Sequence, residues 1–296
     1  MTSHVPVGFA ALGLRWTMAV HQAGDAFVST QLLRDGCWEP FESLVVSRLL
    51  CAALVGDGST PLFVDCGANI GWYSLLAAHL GVDVLAVEPM PENAALLAHN
   101  VRVNAVEHRV RVERCALGDR RGVAELHLSA TNQGDHRLHA GESWDGSRRR
   151  STVAVEVRTL DDLLAELLEG RRPRVIKLDT QGSESAILHG GLRSWAPMAD
   201  APDVAIVTEF WPYGLERCGS SAEQFLEMVV PLVEHGHRCF EVVEPSRRLV
   251  ALTVDELVSL PRAPGLSTSV RGFTNLAFVP SDLAPALDGW DAVTLG

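Results

Sequence analysis

From Pro61 onward, short continuous apolar runs alternate with stretches whose apolar residues recur at helical spacing. Leu62-Phe63-Val64-Asp65-Cys66 is the first such run and reads as a buried parallel strand. A turn over Gly67–Gly71 leads into a helix over 72–80. A second strand over 82–87 ends at Glu88, and a helix follows over 91–103, with Pro91 suited to its first turn. A third strand spans 109–117. After an interruption the alternation resumes with strands over 174–179, 204–209, 237–243 and 272–279 and helices over 161–168, 183–189 and 222–234. The pattern predicts an α/β fold: a seven-stranded, mostly parallel sheet with helices on both faces.

The interruption holds two more strand-like runs, 122–128 and 152–157. Between them lies a polar stretch, Thr131 to Arg150, rich in Gly, Ser, Asp, His and Arg. We take 122–158 as an insertion in a main domain of residues 61–280, since a loop of such length is usually functional or disordered. Residues 1–60 read as a helical extension, with one helix over 41–55 ended by Gly56-Asp57-Gly58-Ser59, and 281–296 as a tail. The extension leaves two roles open, a homodimer contact or a lid.

Composition narrows the partners. At 47% hydrophobic and 21% charged, the chain can bury a core without staples. A net charge of -12 repels phosphate backbones, and the basic runs Arg148-Arg149-Arg150 and Arg171-Arg172 are too short to offset it, so nucleic acid is not expected. No apolar run is long enough to span a bilayer, and the N-terminus lacks a secretory pattern. None of the six cysteines has C-x-x-C or zinc-site spacing, and Cys66, Cys115 and Cys239, inside predicted strands, read as buried free thiols in a reducing compartment. A soluble cytoplasmic protein is expected. Lys177 is the only lysine, which reads first as composition bias.

In a sheet of this kind ligands bind beyond the carboxyl ends of the strands. Asp65, Glu88, Asp179 and Glu209 all fall at such ends, so the fold gathers four acids on one rim. Gly67 and Gly71 flank a tight strand-to-helix turn, and Glu88, at the end of the next strand, suits ribose hydroxyls. Asn69 stands where a dinucleotide fingerprint carries its middle glycine, which argues against a pyrophosphate on the turn. S-adenosyl-methionine has no phosphate; its ammonium suits Asp65 and its carboxylate the Gly67–Gly71 backbone.

The segments VDCGANIGWYS (64–74), AVEPMPENAALLAHNV (86–101), ALGD (116–119), VIKLDTQGSESAILHG (175–190) and FTNLAF (273–278) together resemble the FkbM family of S-adenosyl-methionine-dependent methyltransferases over about residues 60–280. The resemblance implies a Rossmann-like class I methyltransferase fold and O-methylation of a sugar or secondary metabolite, hence a small-molecule acceptor with a hydroxyl. By analogy Asp119 would meet the adenine amino group, with an ordinary turn acid as the alternative. Thr180-Gln181 departs from the family, where many relatives carry an acid before the following glycine.

An alcohol acceptor needs a base or a metal. His136, beside Asp135 and Arg137, is the leading base candidate, with His139 in reserve. Asp179 and Glu184 are placed to orient the acceptor or to cap a helix. Glu209 with Phe210, Trp211 and Tyr213 would form a wall for a ring, or the aromatics belong to the core. Asp179, Glu209 and a loop histidine form a conceivable Mg²⁺ set, but no metal is predicted. Two rivals remain: a NAD(P)-dependent oxidoreductase and a non-catalytic adenosyl-methionine-binding regulator.

Overall fold

A computed structural model describes residues 3–55, 58–140, 151–197, 203–263, 265–266 and 271–289. The chain begins with an antiparallel hairpin, β1 (Ser3–Phe9) and β2 (Leu14–Val20), turned through Gly13 at φ 67°. Helices Val28–Asp35 and Pro40–Leu54 follow. The remaining strands are β3 (Leu62–Cys66), β4 (Asp83–Val87), β5 (Val110–Glu113), β6 (Ala116–Leu117), β7 (Gly122–His127), β8 (Thr152–Arg158), β9 (Val175–Leu178), β10 (Ala205–Phe210), β11 (Arg238–Val243), β12 (Arg248–Leu252) and β13 (Thr274–Val279).

The main sheet has eight strands in the order β12-β11-β13-β10-β9-β3-β4-β5. Its five strands from β10 to β5 are parallel, and β13, β11 and β12 are antiparallel. All seven expected strands lie in it. The eighth, β12, is the return arm of a hairpin with β11. The expected third strand is broken: β5 stays in the main sheet, while β6 pairs with β8 in a three-stranded sheet with β7. The 122–158 insertion is built around that small sheet. The N-terminal segment is not helical throughout; the alternation in 3–20 closes a hairpin that packs on helix Pro91–Val103 through Asn100 and Asn104, whose side chains bond the β2 backbone.

Strand side chains alternate between two cores. Phe63, Val175, Val207 and Ala277 face the core shared with helices Pro40–Leu54, Trp72–Leu80 and Pro91–Val103. Leu62, Val64, Ile176, Ile206 and Leu276 face the opposite core, with helices Leu160–Leu167 and Ala222–Glu234. That two-residue period puts Asp65, Lys177, Glu209 and Asn275 on the first face, toward the start of helix Pro40–Leu54. The register sets Asp65 beside Lys177 and Glu209 beside Asn275.

Candidate functional site

Strand order decides the order of the acids along the rim. Glu209 is the penultimate residue of β10, Asp179 follows β9, Asp65 lies in β3 and Glu88 follows β4, so they stand in that lateral sequence. All four line one cavity of about 260 Å³ at the carboxyl ends of the strands.

Beside β3 the chain turns through Gly67 (φ 82°), Asn69 (φ 50°) and Gly71 (φ 97°). A Cβ on Gly67 would lie 2.1 Å from the Asp179 carbonyl oxygen, and one on Gly71 2.3 Å from Leu97 Cδ1. Only glycine combines these angles with such approaches. The backbone N–H groups of this turn are largely engaged by the protein. Gly67 and Ala68 donate to the Val87 carbonyl (2.9 and 3.0 Å), Gly71 donates to Ala68, and Asn69 donates to Glu88 Oε2 at 2.9 Å. The expected carboxylate cradle over Gly67–Gly71 therefore does not use those four donors.

Glu88 also accepts from Met90 N at 2.9 Å. The two bonds fix the carboxylate, and each oxygen keeps a lone pair for a hydroxyl. Burial pushes its pKa up to about 7 against those hydrogen bonds. Asp65 accepts from Ser74 Oγ at 2.6 Å, and burial raises its pKa to about 6. Beyond Glu88 the cavity becomes an apolar slot lined by Cys115, Ala116, Leu117, Leu126, Leu138 and Ile187. Asp119 lies outside it, exposed and 3.6 Å from Arg120, as the ordinary turn acid.

These residues fit S-adenosyl-methionine. The slot accepts a flat ring, Glu88 two hydroxyls and Asp65 an ammonium. The side-chain oxygen of Asn69 is buried with no partner among the described residues, which a ligand donor would satisfy.

The other end of the cavity holds a chain of polar groups centred on Lys177. Its ammonium, 4% exposed, is 3.1 Å from Glu42 Oε1 and 3.1 Å from Asp179 Oδ2, and lies 4.6 Å from the centre of the Tyr73 ring. Tyr73 Oη donates to Glu39 Oε2 at 2.9 Å, and Asn275 donates to Glu42. Gln181 Nε2 bridges Asp179 Oδ1 (3.0 Å) and Glu209 Oε2 (3.3 Å). Helix Pro40–Leu54 is held in place for this by Glu244, which accepts from the backbone N–H groups of Phe41 and Glu42. Burial drives the Glu39 and Glu209 carboxyls well above their ordinary range, and their acidic neighbours add to it. Burial works against the charge of Lys177, but Asp179, Glu42, Glu39 and Asp65 hold it well above its ordinary value. Six non-glycine residues among those described have positive φ, and three of them, Glu39, Asn69 and Gln181, line this cavity. Strained backbone of this kind concentrates at functional sites.

Several expectations change here. His136 lines the cavity, but its Nδ1 accepts from Ser129 N at 3.1 Å, so Nε2 carries the proton and donates to Gln133 Oε1 at 3.0 Å. In this arrangement the ring has no lone pair with which to take a substrate proton. Glu184 accepts from Thr180 N, Thr180 Oγ1 and Gly182 N at 2.8–2.9 Å, which makes it the clamp of the turn after β9. Phe210 and Trp211 belong to the interior, Trp211 under Arg137 at 4.5 Å from its ring centre. The aromatic lining comes instead from Phe27, Trp38, Trp72, Tyr73 and Phe273. No group of three or more His, Cys, Asp or Glu among the described residues is arranged to hold a metal ion. Arg148-Arg149-Arg150 lies outside the described residues.

Glu39, Glu42, Gln181 and Asn275 were not legible as site residues. The signals were faint: an acid before a helix-starting proline, and the sole lysine set two residues before a strand-end aspartate.

The family profile described as "Methyltransferase FkbM domain" matches residues 65–239. Among curated proteins, "Methyltransferase sdnD" of Sordaria araneosa is 24% identical over 204 residues, covering 56% of this chain and 79% of that protein. "31-O-demethyl-FK506 methyltransferase FkbM" of Streptomyces tacrolimicus is 42% identical over 93 residues, covering 30% of this chain and 33% of that protein. Among solved structures, the SAM-dependent methyltransferase from Agrobacterium tumefaciens is 10% identical, with 95% of this chain and 71% of that chain covered and a TM-score of 0.46.

Proposed function

Because the chain belongs to the FkbM methyltransferase family and uses S-adenosyl-methionine as its methyl donor, we propose that it is an O-methyltransferase for a hydroxyl group of a sugar or secondary metabolite. The observation that carries this reading is the Lys177-centred chain of carboxylates and amides at one end of the cavity, facing aromatic rings. Carboxylates and amides bind hydroxyls, and the rings of Trp38, Tyr73 and Phe273 offer flat apolar surfaces to a sugar or polyketide face.

When bound, the cofactor supplies an electrophilic methyl group on a positively charged sulfur. The protein's own task is to aim the acceptor oxygen and to take its proton. We assign the proton to Glu209. Asp179 has both oxygens engaged, by Gln181 and Lys177, whereas Glu209, which lines the cavity, has only Oε2 hydrogen-bonded among the described residues. Its raised pKa makes it a stronger base than an ordinary carboxylate. Asp179, held by Lys177 and Gln181, orients the hydroxyl, and Gln181 fixes the spacing of the two acids. His136 holds the insertion loop over the cavity. Phe27, Trp38 and Glu39 from the N-terminal segment and Phe273 and Asn275 from the last strand region complete the acceptor side.

The test is methylation of a panel of sugars, glycosides and polyketide alcohols with carbon-13 methyl-labelled cofactor. A methoxy carbon signal in the product is expected. Label recovered on nitrogen or carbon would overturn the assignment to oxygen.

A further inference from the structure

The acceptor end of the cavity has an imbalance of charge. Among the described residues, Glu39, Glu42, Asp179 and Glu209 gather around Lys177, and the charge of Arg137 also acts on Glu209. Asp65 flanks Lys177 on the adjacent strand. Glu184 stands behind Asp179 and already binds its own turn. Arg137 pairs with Asp135 at 2.5 Å and does not line the cavity, and its charge offsets Glu209 in part. His136 is bonded within its loop, and Tyr73 donates to Glu39. Glu209 is 8% exposed and lines the cavity, yet only its Oε2 has a hydrogen-bond partner among the described residues. Buried carboxylates in excess require protons or a cationic ligand.

Strand order says where that cation belongs. Glu88 ends β4, and the ring slot lies on the β5 side of it, so a ligand holding both extends from there over the ends of β3 and β9. Neighbouring strands are about 4.8 Å apart. In S-adenosyl-methionine the sulfur is one carbon from the ribose ring, which sets it on the side of Asp179 rather than of the slot.

We propose that Glu39, Asp179 and Glu209, which outnumber the cations around them among the described residues, recognise the sulfonium charge, so that the site favours the charged cofactor over its demethylated thioether product, S-adenosyl-homocysteine. This rests on the reading that the cavity holds the cofactor. It gives the site a way to release product: the sulfonium charge disappears on transfer, and the proton from the acceptor hydroxyl neutralises the carboxylate that faced it. Before transfer the pocket holds a sulfonium and a carboxylate; afterwards it holds a neutral thioether and a neutral acid.

Calorimetry tests this without an acceptor. Binding of S-adenosyl-methionine, S-adenosyl-homocysteine and sinefungin, which carries an amine-bearing carbon in place of the sulfonium, is measured between about pH 5.5 and 8.5 in buffers of different ionisation enthalpy. Titration of Glu88 and Asp65 acts on the ribose and ammonium that all three share, so it cancels in the affinity ratios. We expect the charged ligand to bind roughly tenfold more tightly than the thioether at the alkaline end, and the ratio to shrink toward the acid end as Glu39 and Glu209 protonate, where binding of the charged ligand releases protons. Sinefungin should follow the charged cofactor. Glu209→Gln and Glu39→Gln should each lower the ratio about threefold while retaining thioether binding, which also reports that the variant is folded. A ratio that is flat with pH, or variants that weaken all three ligands equally, would overturn the proposal. Failure of all three to bind the wild-type protein would instead sink the cofactor reading itself.

Discussion

Replacing Lys177 by Met removes the cation at the centre of the buried acid chain while nearly keeping the side-chain volume. The ammonium is 4% exposed and touches Glu42, itself 2% exposed, and Asp179, each at 3.1 Å. Removing one partner of a buried pair costs about 3–5 kcal/mol, because the other charge is left uncompensated. Here the abandoned carboxylates can take up protons, which limits the loss, so we expect the lower end, about 3 kcal/mol near pH 8. For a domain of this size that lowers the melting temperature by roughly 6–12 °C. The loss must depend on pH in a definite direction. Glu39 and Glu209 have folded pKa values above the ordinary carboxylate value. The folded state therefore holds protons that the unfolded state releases, and stability falls as pH rises from the ordinary carboxylate range through the folded pKa values. Loss of Lys177 raises those values further and steepens the fall. Lys177 itself stays charged in both states across this range and adds no slope. Melting curves of wild type and Lys177→Met from about pH 5 to 8 should converge at the acid end and separate toward pH 8. A difference that is constant with pH, or below about 2 °C at pH 8, would refute the charge argument.

Three further outcomes follow from the geometry. Gly67→Ala places a Cβ 2.1 Å from the Asp179 carbonyl at a φ of 82°, so the turn must shift; we expect a loss of about 2–4 kcal/mol in thermal unfolding and cofactor binding weakened beyond detection by calorimetry, and a variant with wild-type affinity would contradict the close packing. Glu88→Ala removes the acceptor of the Asn69 and Met90 N–H groups as well as the ribose partner, so S-adenosyl-methionine and S-adenosyl-homocysteine should both weaken by about a hundredfold, their ratio unchanged; a change confined to one ligand would place the ribose elsewhere. His136→Ala should loosen the loop bonded to Ser129 and Gln133, raising the cofactor KM several-fold while the acid limb of the kcat profile stays in place; loss of that limb would restore His136 as the base.

The sequence made the sheet legible because parallel strands buried on both faces are continuous apolar runs, and their terminal acids mark the rim. Asp65, Glu88, Asp179 and Glu209 met in one cavity for that reason. Harder to see were features set by contacts between distant segments. The hairpin of β1 and β2 hid because Gly13 is a weak turn signal beside a partly apolar stretch. The break after β5 hid because Arg114 and Cys115 do not interrupt the strand pattern. His136 stood out as a base by residue type, and only the bond from Ser129 N to Nδ1 fixes its tautomer. Trp211 stood out as a wall, but β10 ends so that its ring packs under Arg137.

The division between what was legible and what was not follows the division of labour in the site. The residues that fit the cofactor, Asp65, Gly67, Asn69 and Glu88, lie close together in sequence and inside the stretch matched to the family. Each follows from one βαβ unit, whose geometry local pattern predicts. The side of the cavity proposed for the acceptor is assembled from both flanks of that stretch: Phe27, Trp38 and Glu39 precede residue 65, and Phe273 and Asn275 follow residue 239. What brings the flanks together is the strand period, which turns Lys177, Glu209 and Asn275 toward one face, and the carboxylate of Glu244, which pins the start of helix Pro40–Leu54 so that Glu42 meets Lys177.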